Sequence, residues 1–146
     1  MYLDSAYIAK YYVNEPDSTA VRQFIREAPH ICSSSWALIE VTSVFHRHIR
    51  EGSLSVAQGR ELIDLFRTHV EADLWSLLST SEALLRRTAT LIRGLPGSVS
   101  VRAGAAIHLA TAIEAGETEI WTNDRHLLST AAYVGLSGKS VAQDQN

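Results

Sequence analysis

Short apolar runs alternate with stretches of helical periodicity from one end of the chain to the other, and this alternation constrains the fold more than any other feature. Met1–Leu3, His30–Ser34, Leu74–Leu78 and Glu119–Thr122 have the length and composition of strands. Between them the apolar spacing is helical. Ala6–Tyr12 is stopped by Asn14-Glu15-Pro16, and Asp17-Ser18 is placed to cap a helix through about Ala28. Further helices are expected over Trp36–Glu51, ended by Gly52; Ser55 to about Asp73; Thr80–Arg93; Arg102–Ala115; and Arg125–Val134, closed by Gly135. Every pair of successive strands is separated by enough chain for a crossover. The expectation is therefore an α/β fold with a mostly parallel central sheet flanked by helices. The tail from Ser137 to Asn146 is polar, with at most a weak edge strand near Val141.

A chain of 146 residues and 16.1 kDa has the material for one domain, here expected to run over 1–146 with 137–146 as a polar, partly ordered tail. Apolar residues make up 46% and charged residues 20%, which excludes the low-hydrophobicity composition of disordered chains. No basic stretch leads into an apolar run at the N-terminus, and no segment approaches the roughly 20 apolar residues of a bilayer span. A soluble, cytoplasmic protein without a membrane partner is expected. The single cysteine, Cys32, excludes an internal disulfide and thiolate metal clusters, and reads as a small buried residue.

The net charge of −3 argues against a large uniform positive field. Its distribution is informative. Between Ala83 and Ile113 lie Arg86, Arg87, Arg93 and Arg102 with no acid, and His46-Arg47-His48-Ile49-Arg50 forms a second local excess. Lys10 and Lys139 are the only lysines. A preference for the planar guanidinium fork suits phosphate recognition, although solvated helix faces account for the same charges.

Three acids stand out. Asp4 and Asp124 fall at strand-to-helix junctions, beyond the carboxyl ends of strands, where open α/β sheets gather ligands. Each is also explained as a helix N-cap contributing about 1 kcal/mol. Glu40 is harder to explain in that way. It sits among Ala37, Leu38, Ile39 and Val41, and a cap at Ser33, Ser34 or Ser35 would pair with Trp36, Ala37 or Leu38. Converging carboxylates without cysteine or a histidine pair suit a hard cation, Mg²⁺ or Mn²⁺, and phosphodiester hydrolysis by metal-activated water. The chain lacks a Gly-Lys-Ser/Thr phosphate loop, a G-x-G-x-x-G turn and a G-x-S-x-G elbow, which excludes the corresponding nucleotide-binding and acyl-transfer classes.

The motifs resemble those of PIN-domain ribonucleases, especially the VapC toxins of bacterial toxin–antitoxin systems. Met1–Tyr12 is similar to the family's opening strand, first acidic position and first helix. Ser34–Val41 is similar to its second motif, with Glu40 at the acidic position; Ala106–Ala112 to its most recognisable helix; and Thr122–Leu127 to its last acidic motif. Each motif is unspecific by itself, but the four in this order are specific. The resemblance implies a Mg²⁺- or Mn²⁺-dependent endoribonuclease, homodimeric, acting on RNA and inhibited by a VapB-type antitoxin. Asp4 and Asp124 would hold the ion, Glu40 would ligate it or orient the attacking water, and Arg86, Arg87, Arg93 and Arg102 would hold the RNA backbone.

One position departs from the pattern. The family carries Asp immediately before the Ala-Ile-His-Leu stretch, and this chain carries Ala105. The flanks Arg102-Ala103-Gly104 and Ala106-Ile107-His108 are intact, which favours a single replacement, natural or deliberate, over drift. His108, alone on an Ala-rich helix, reads as a packed, hydrogen-bonded residue in place of a substitute ligand. The expectation is a ribonuclease that is inactive or weakened. The alternative is a PIN-like module that binds RNA or protein without cutting; a purely structural domain would leave Glu40 unexplained.

Overall fold

The computed structural model describes residues 1–141; the part of the polar tail over 142–146 lies outside the described residues. Five parallel strands form one sheet in the order β3-β2-β1-β4-β5: β1 Tyr2–Leu3, β2 Cys32–Ser34, β3 Ser76–Leu78, β4 Glu119–Trp121 and β5 Ser137–Lys139. The helices are α1 Ser5–Tyr12, α2 Ser18–Glu27, α3 Ala37–Arg50, α4 Val56–Glu71, α5 Glu82–Arg93, α6 Ala103–Glu114 and α7 Arg125–Ala131, with a 3₁₀ turn over Ala132–Val134. The chain lays β1, β2 and β3 down in one direction and then places β4 on the far side of β1. That reversal opens a crevice between the carboxyl ends of β1 and β4, and Asp4 and Asp124 stand at its two lips.

Alternation along β1 divides the core. Leu3 packs with Tyr7, Ile8, Val41, Phe45 and Phe66 under α1 to α4, whereas Tyr2 packs with Leu109, Ala112, Ile120 and Leu127 under α6 and α7. Cys32 is a free, buried thiol on this second side. Burial, and then the neighbouring Glu117 carboxylate, push its pKa up to about 11, so it is inert.

Helix ends follow local chemistry in most places. Ser55 and Gln58 form a reciprocal capping box at α4, and Ser81 caps α5 by accepting the Leu84 amide. Two expectations need correction. Asp17 holds the N-cap position of α2 without capping it: its φ of 69° turns the carboxylate away, and the Ser18 hydroxyl instead bridges Glu15 N–H and the Val13 carbonyl. The edge strand is Ser137–Lys139, not a segment near Val141. Ser-Gly-Lys has little strand propensity, and tertiary pairing with Glu119–Trp121 overrides it. Gly138 is required there, because a Cβ would sit 2.9 Å from the Leu128 carbonyl oxygen.

Candidate active site

Asp4 is the first residue past β1 and is 5% exposed. Its Oδ1 accepts the Tyr7 amide at 3.0 Å, capping α1, and its Oδ2 accepts the Thr122 hydroxyl. Burial raises its pKa; the hydrogen bonds from Thr122 and Tyr7 oppose that rise without cancelling it. Thr122, at the end of β4, also accepts the Asp124 N–H at 3.0 Å, so one hydroxyl ties both acids to the crevice. Asp124 caps α7, with Oδ1 accepting the amides of His126 at 2.8 Å and Leu127 at 3.3 Å. Both aspartates are thus caps, as local chemistry suggests, and both face the same crevice.

Glu40 reaches the crevice from α3. The serine run before that helix is consumed in building the approach: Ser33 donates to the Leu3 carbonyl, Ser34 accepts the Trp36 amide, and Ser35 pairs with Thr80. Glu40 Oε1 accepts from Ser5 at 2.9 Å and lies 2.6 Å from His108 Nε2. His108 is buried on α6, with Nδ1 2.8 Å from the Tyr2 hydroxyl. With Tyr2 donating to Nδ1, the ring proton is on Nε2 and is donated to Glu40. Burial alone would raise the Glu40 carboxyl, but the contact with His108, aided by Ser5, holds it below the usual range. Gly104 lets α6 approach, since a Cβ there would lie 3.2 Å from Glu40 Oε2 and 3.4 Å from Trp36 Nε1.

Asp4, Glu40, Asp124, Ala105 and Arg102 line one cavity of about 370 Å³. A second cavity of about 200 Å³ adjoins it and shares Arg102, Ala105 and Asp124. Ala105 therefore stands at the divide between the two. The other arginines lie elsewhere: Arg86 is paired with Glu82 within α5, and Arg87 with Glu114 at the far end of α6, while Arg93 is exposed at the end of α5. Ser5, Thr122 and Trp36 also belong to the site, although the sequence analysis does not single them out. The available signal was adjacency, since Ser5 follows Asp4 and Thr122 precedes Asp124 by two, the spacing of a hydroxyl turn.

The residues present do not make a complete site for a divalent cation. Among the described residues, no three His, Cys, Asp or Glu side chains gather closely enough to hold one. Ala105 brings no oxygen, Glu40 Oε1 is drawn to Ser5 and His108, and Asp124 Oδ1 is turned to the α7 amides. Octahedral cations need several oxygens directed at one point. What the arrangement does provide is a recessed row of carboxylates with one guanidinium, Arg102, beside it. Among the described residues, no helix is long and apolar enough to cross a membrane.

No curated protein matches the sequence of this chain. In fold it is similar to a Mycobacterium tuberculosis toxin of known crystal structure, the sarcin–ricin-loop-cleaving VapC20, with a TM-score of 0.69 at 9% identity over 88% of this chain and 92% of that one. The sequence profile of the PIN domain matches residues 1–133, nearly the whole described length, and the chain therefore belongs to the PIN-domain family.

Proposed function

We propose that this chain is a VapC-type endoribonuclease toxin whose hydrolytic site is short of one ligand, so that it holds RNA and cuts it slowly or not at all. The observation that carries the reading is the convergence of Asp4, Glu40 and Asp124 on one cavity that Ala105 also lines. Asp4 and Asp124 each cap a helix, but capping does not account for the Glu40 carboxylate beside buried Asp4, whose charge it disfavours. The chain's own residues have separable tasks. Asp4 and Asp124 supply fixed negative charge; Ser5 and the Tyr2–His108 pair set the direction of Glu40; Arg102 takes backbone phosphate.

The reading extends to Mg²⁺ or Mn²⁺ as the cation, an antitoxin of the VapB type covering the cleft, a homodimer and a single domain in the cytoplasm. The VapC20 toxin cleaves the sarcin–ricin loop, which makes that loop the first substrate to try. The test is Ala105→Asp. With the carboxylate restored, RNA cleavage should appear, require Mg²⁺ or Mn²⁺ and vanish on chelation, at a rate roughly two to three orders of magnitude above that of the unaltered chain. The second reading, a non-cleaving binding module, is favoured by the full engagement of Glu40 Oε1 with protein donors. It prevails if the Asp variant folds, binds Mn²⁺ and leaves the RNA intact.

A further inference from the structure

We infer that the exposed face of α3, running from Trp36 and Glu40 through Ser43, His46 and Arg47 to Arg50, is the track along which a single-stranded RNA backbone leaves the acidic cavity. The inference rests on the ribonuclease reading and locates its substrate.

The placement follows from helical periodicity. Ala37, Val41, Phe45 and His48 form the buried face of α3, and Trp36, Glu40, Ser43, Arg47 and Arg50 recur every three or four residues away from it. Glu40 and Arg50 are ten residues apart, about 15 Å along the axis at 1.5 Å per residue. One end of this stripe opens into the acidic cavity. The other forms a separate cleft of about 360 Å³ lined by Ser43, Val44, His46, Arg47 and Arg50. At the acidic end of the stripe Ile39, next to Glu40, is 58% exposed and offers an apolar surface for a base.

Arg50 supplies an available charge on this face. Arg86 and Arg87 are each paired with a carboxylate, whereas Arg50 is exposed and makes no ion pair or hydrogen bond among the described residues. Arg47 contacts Glu15 at 2.8 Å, and Glu15 is also held by Lys10 and His48, so its single charge is shared among three partners. No ion pair joins Glu51 to Arg47 or Arg50 among the described residues. Basic residues in a last helical turn also complement the helix dipole. That role requires no cleft, no exposed hydrophobic residue and no continuity with a catalytic cavity. A polyanion with apolar bases matches all three.

The unaltered chain is suited to the test, because Ala105 lets binding be measured with little cleavage. A fluorescently labelled single-stranded RNA is titrated at several salt concentrations with the unaltered chain and with Arg50→Ala, Arg50→Lys, Arg102→Ala and Arg26→Ala, each checked for folding by thermal melt. Arg26 is exposed on α2, outside the stripe. Losing one phosphate contact lowers the slope of log affinity against log salt by about 0.7 for a single strand. Arg50→Ala and Arg102→Ala should each show that loss, Arg50→Lys should retain the slope as a point charge, and Arg26→Ala should leave it unchanged. If Arg102→Ala loses slope and Arg50→Ala does not, RNA is bound at the cavity but the α3 track is wrong. If the unaltered chain and every variant fail to bind RNA at low salt, the ribonuclease reading falls and the track falls with it.

Discussion

The two ends of the sheet are built on opposite principles. At the amino ends of the strands, Tyr12 meets Phe45 and Phe66 edge-on at centroid distances of 5.6 and 5.7 Å, and its hydroxyl joins Trp75 Nε1 at 2.6 Å to His69 Nδ1 at 2.7 Å. Edge-to-face ring pairs of this kind stabilise the folded chain. At the carboxyl ends, α1 and α3 present Asp4 and Glu40 to a third acid, Asp124, and burial acts against the charge on Asp4. The same two helices serve both ends. The aromatic end thus supplies the stability against which buried Asp4 is held beside Glu40 at the acidic end.

The contrast breaks most completely if the aromatic end is emptied. Phe45→Ala removes a fully buried ring from α3 and should cost about 3 to 5 kcal/mol, read as a fall in the midpoint of urea unfolding. A loss under 1 kcal/mol would mean that this end is not the stabilising one. Tyr12→Phe keeps the ring and deletes the hydroxyl shared by Trp75 and His69. Buried Trp75 and half-buried His69 each lose a partner, and the expected cost is about 1 to 3 kcal/mol by the same measurement.

The acidic end should respond with the opposite sign. Asp4→Asn keeps a carbonyl to cap α1 and removes the buried charge, so the variant should be about 0.5 to 1 kcal/mol more stable at neutral pH while losing function. The pH dependence follows from the raised carboxyl. A folded state that holds the Asp4 proton more tightly than the unfolded chain gains stability as pH falls through the raised folded value, and that gain is complete below the ordinary aspartate value. The unaltered chain should therefore converge on the Asn variant as the solution is acidified. Melts at several pH values check it, and a gap that widens on acidification would reverse the assignment.

How much of this was legible in the sequence depended on how local the cause was. The strand-to-helix junctions at Asp4 and Asp124 follow from short apolar runs next to capping residues, and the structure shows both caps. Glu40 stood out because no capping box accounts for it, and its partners explain the anomaly: Ser5 is 35 residues away and His108 is 68. Periodicity carries no information on such pairs. The reading of His108 as packed and hydrogen-bonded rested on residue type; that it sits between Tyr2 and Glu40 is a property of the β1–α6 packing. β5 was misplaced for the same reason, since Ser137–Lys139 is a strand only because β4 lies beside it. The arginines were legible as a charge excess. Their pairing with Glu82 and Glu114 was not.

Calorimetric titration of Mn²⁺ into the unaltered chain and into Ala105→Asp reads directly whether the missing carboxylate at position 105 limits cation binding at this cavity. One more carboxylate at the divide between the two cavities adds to the oxygen set, so the Asp variant should bind Mn²⁺ at least about tenfold more tightly. Binding should weaken again when Asp4→Asn or Asp124→Asn is added to it. Equal affinity in both chains, or tighter binding that survives loss of both aspartates, would contradict a limiting role for position 105 at this cavity and place the cation elsewhere.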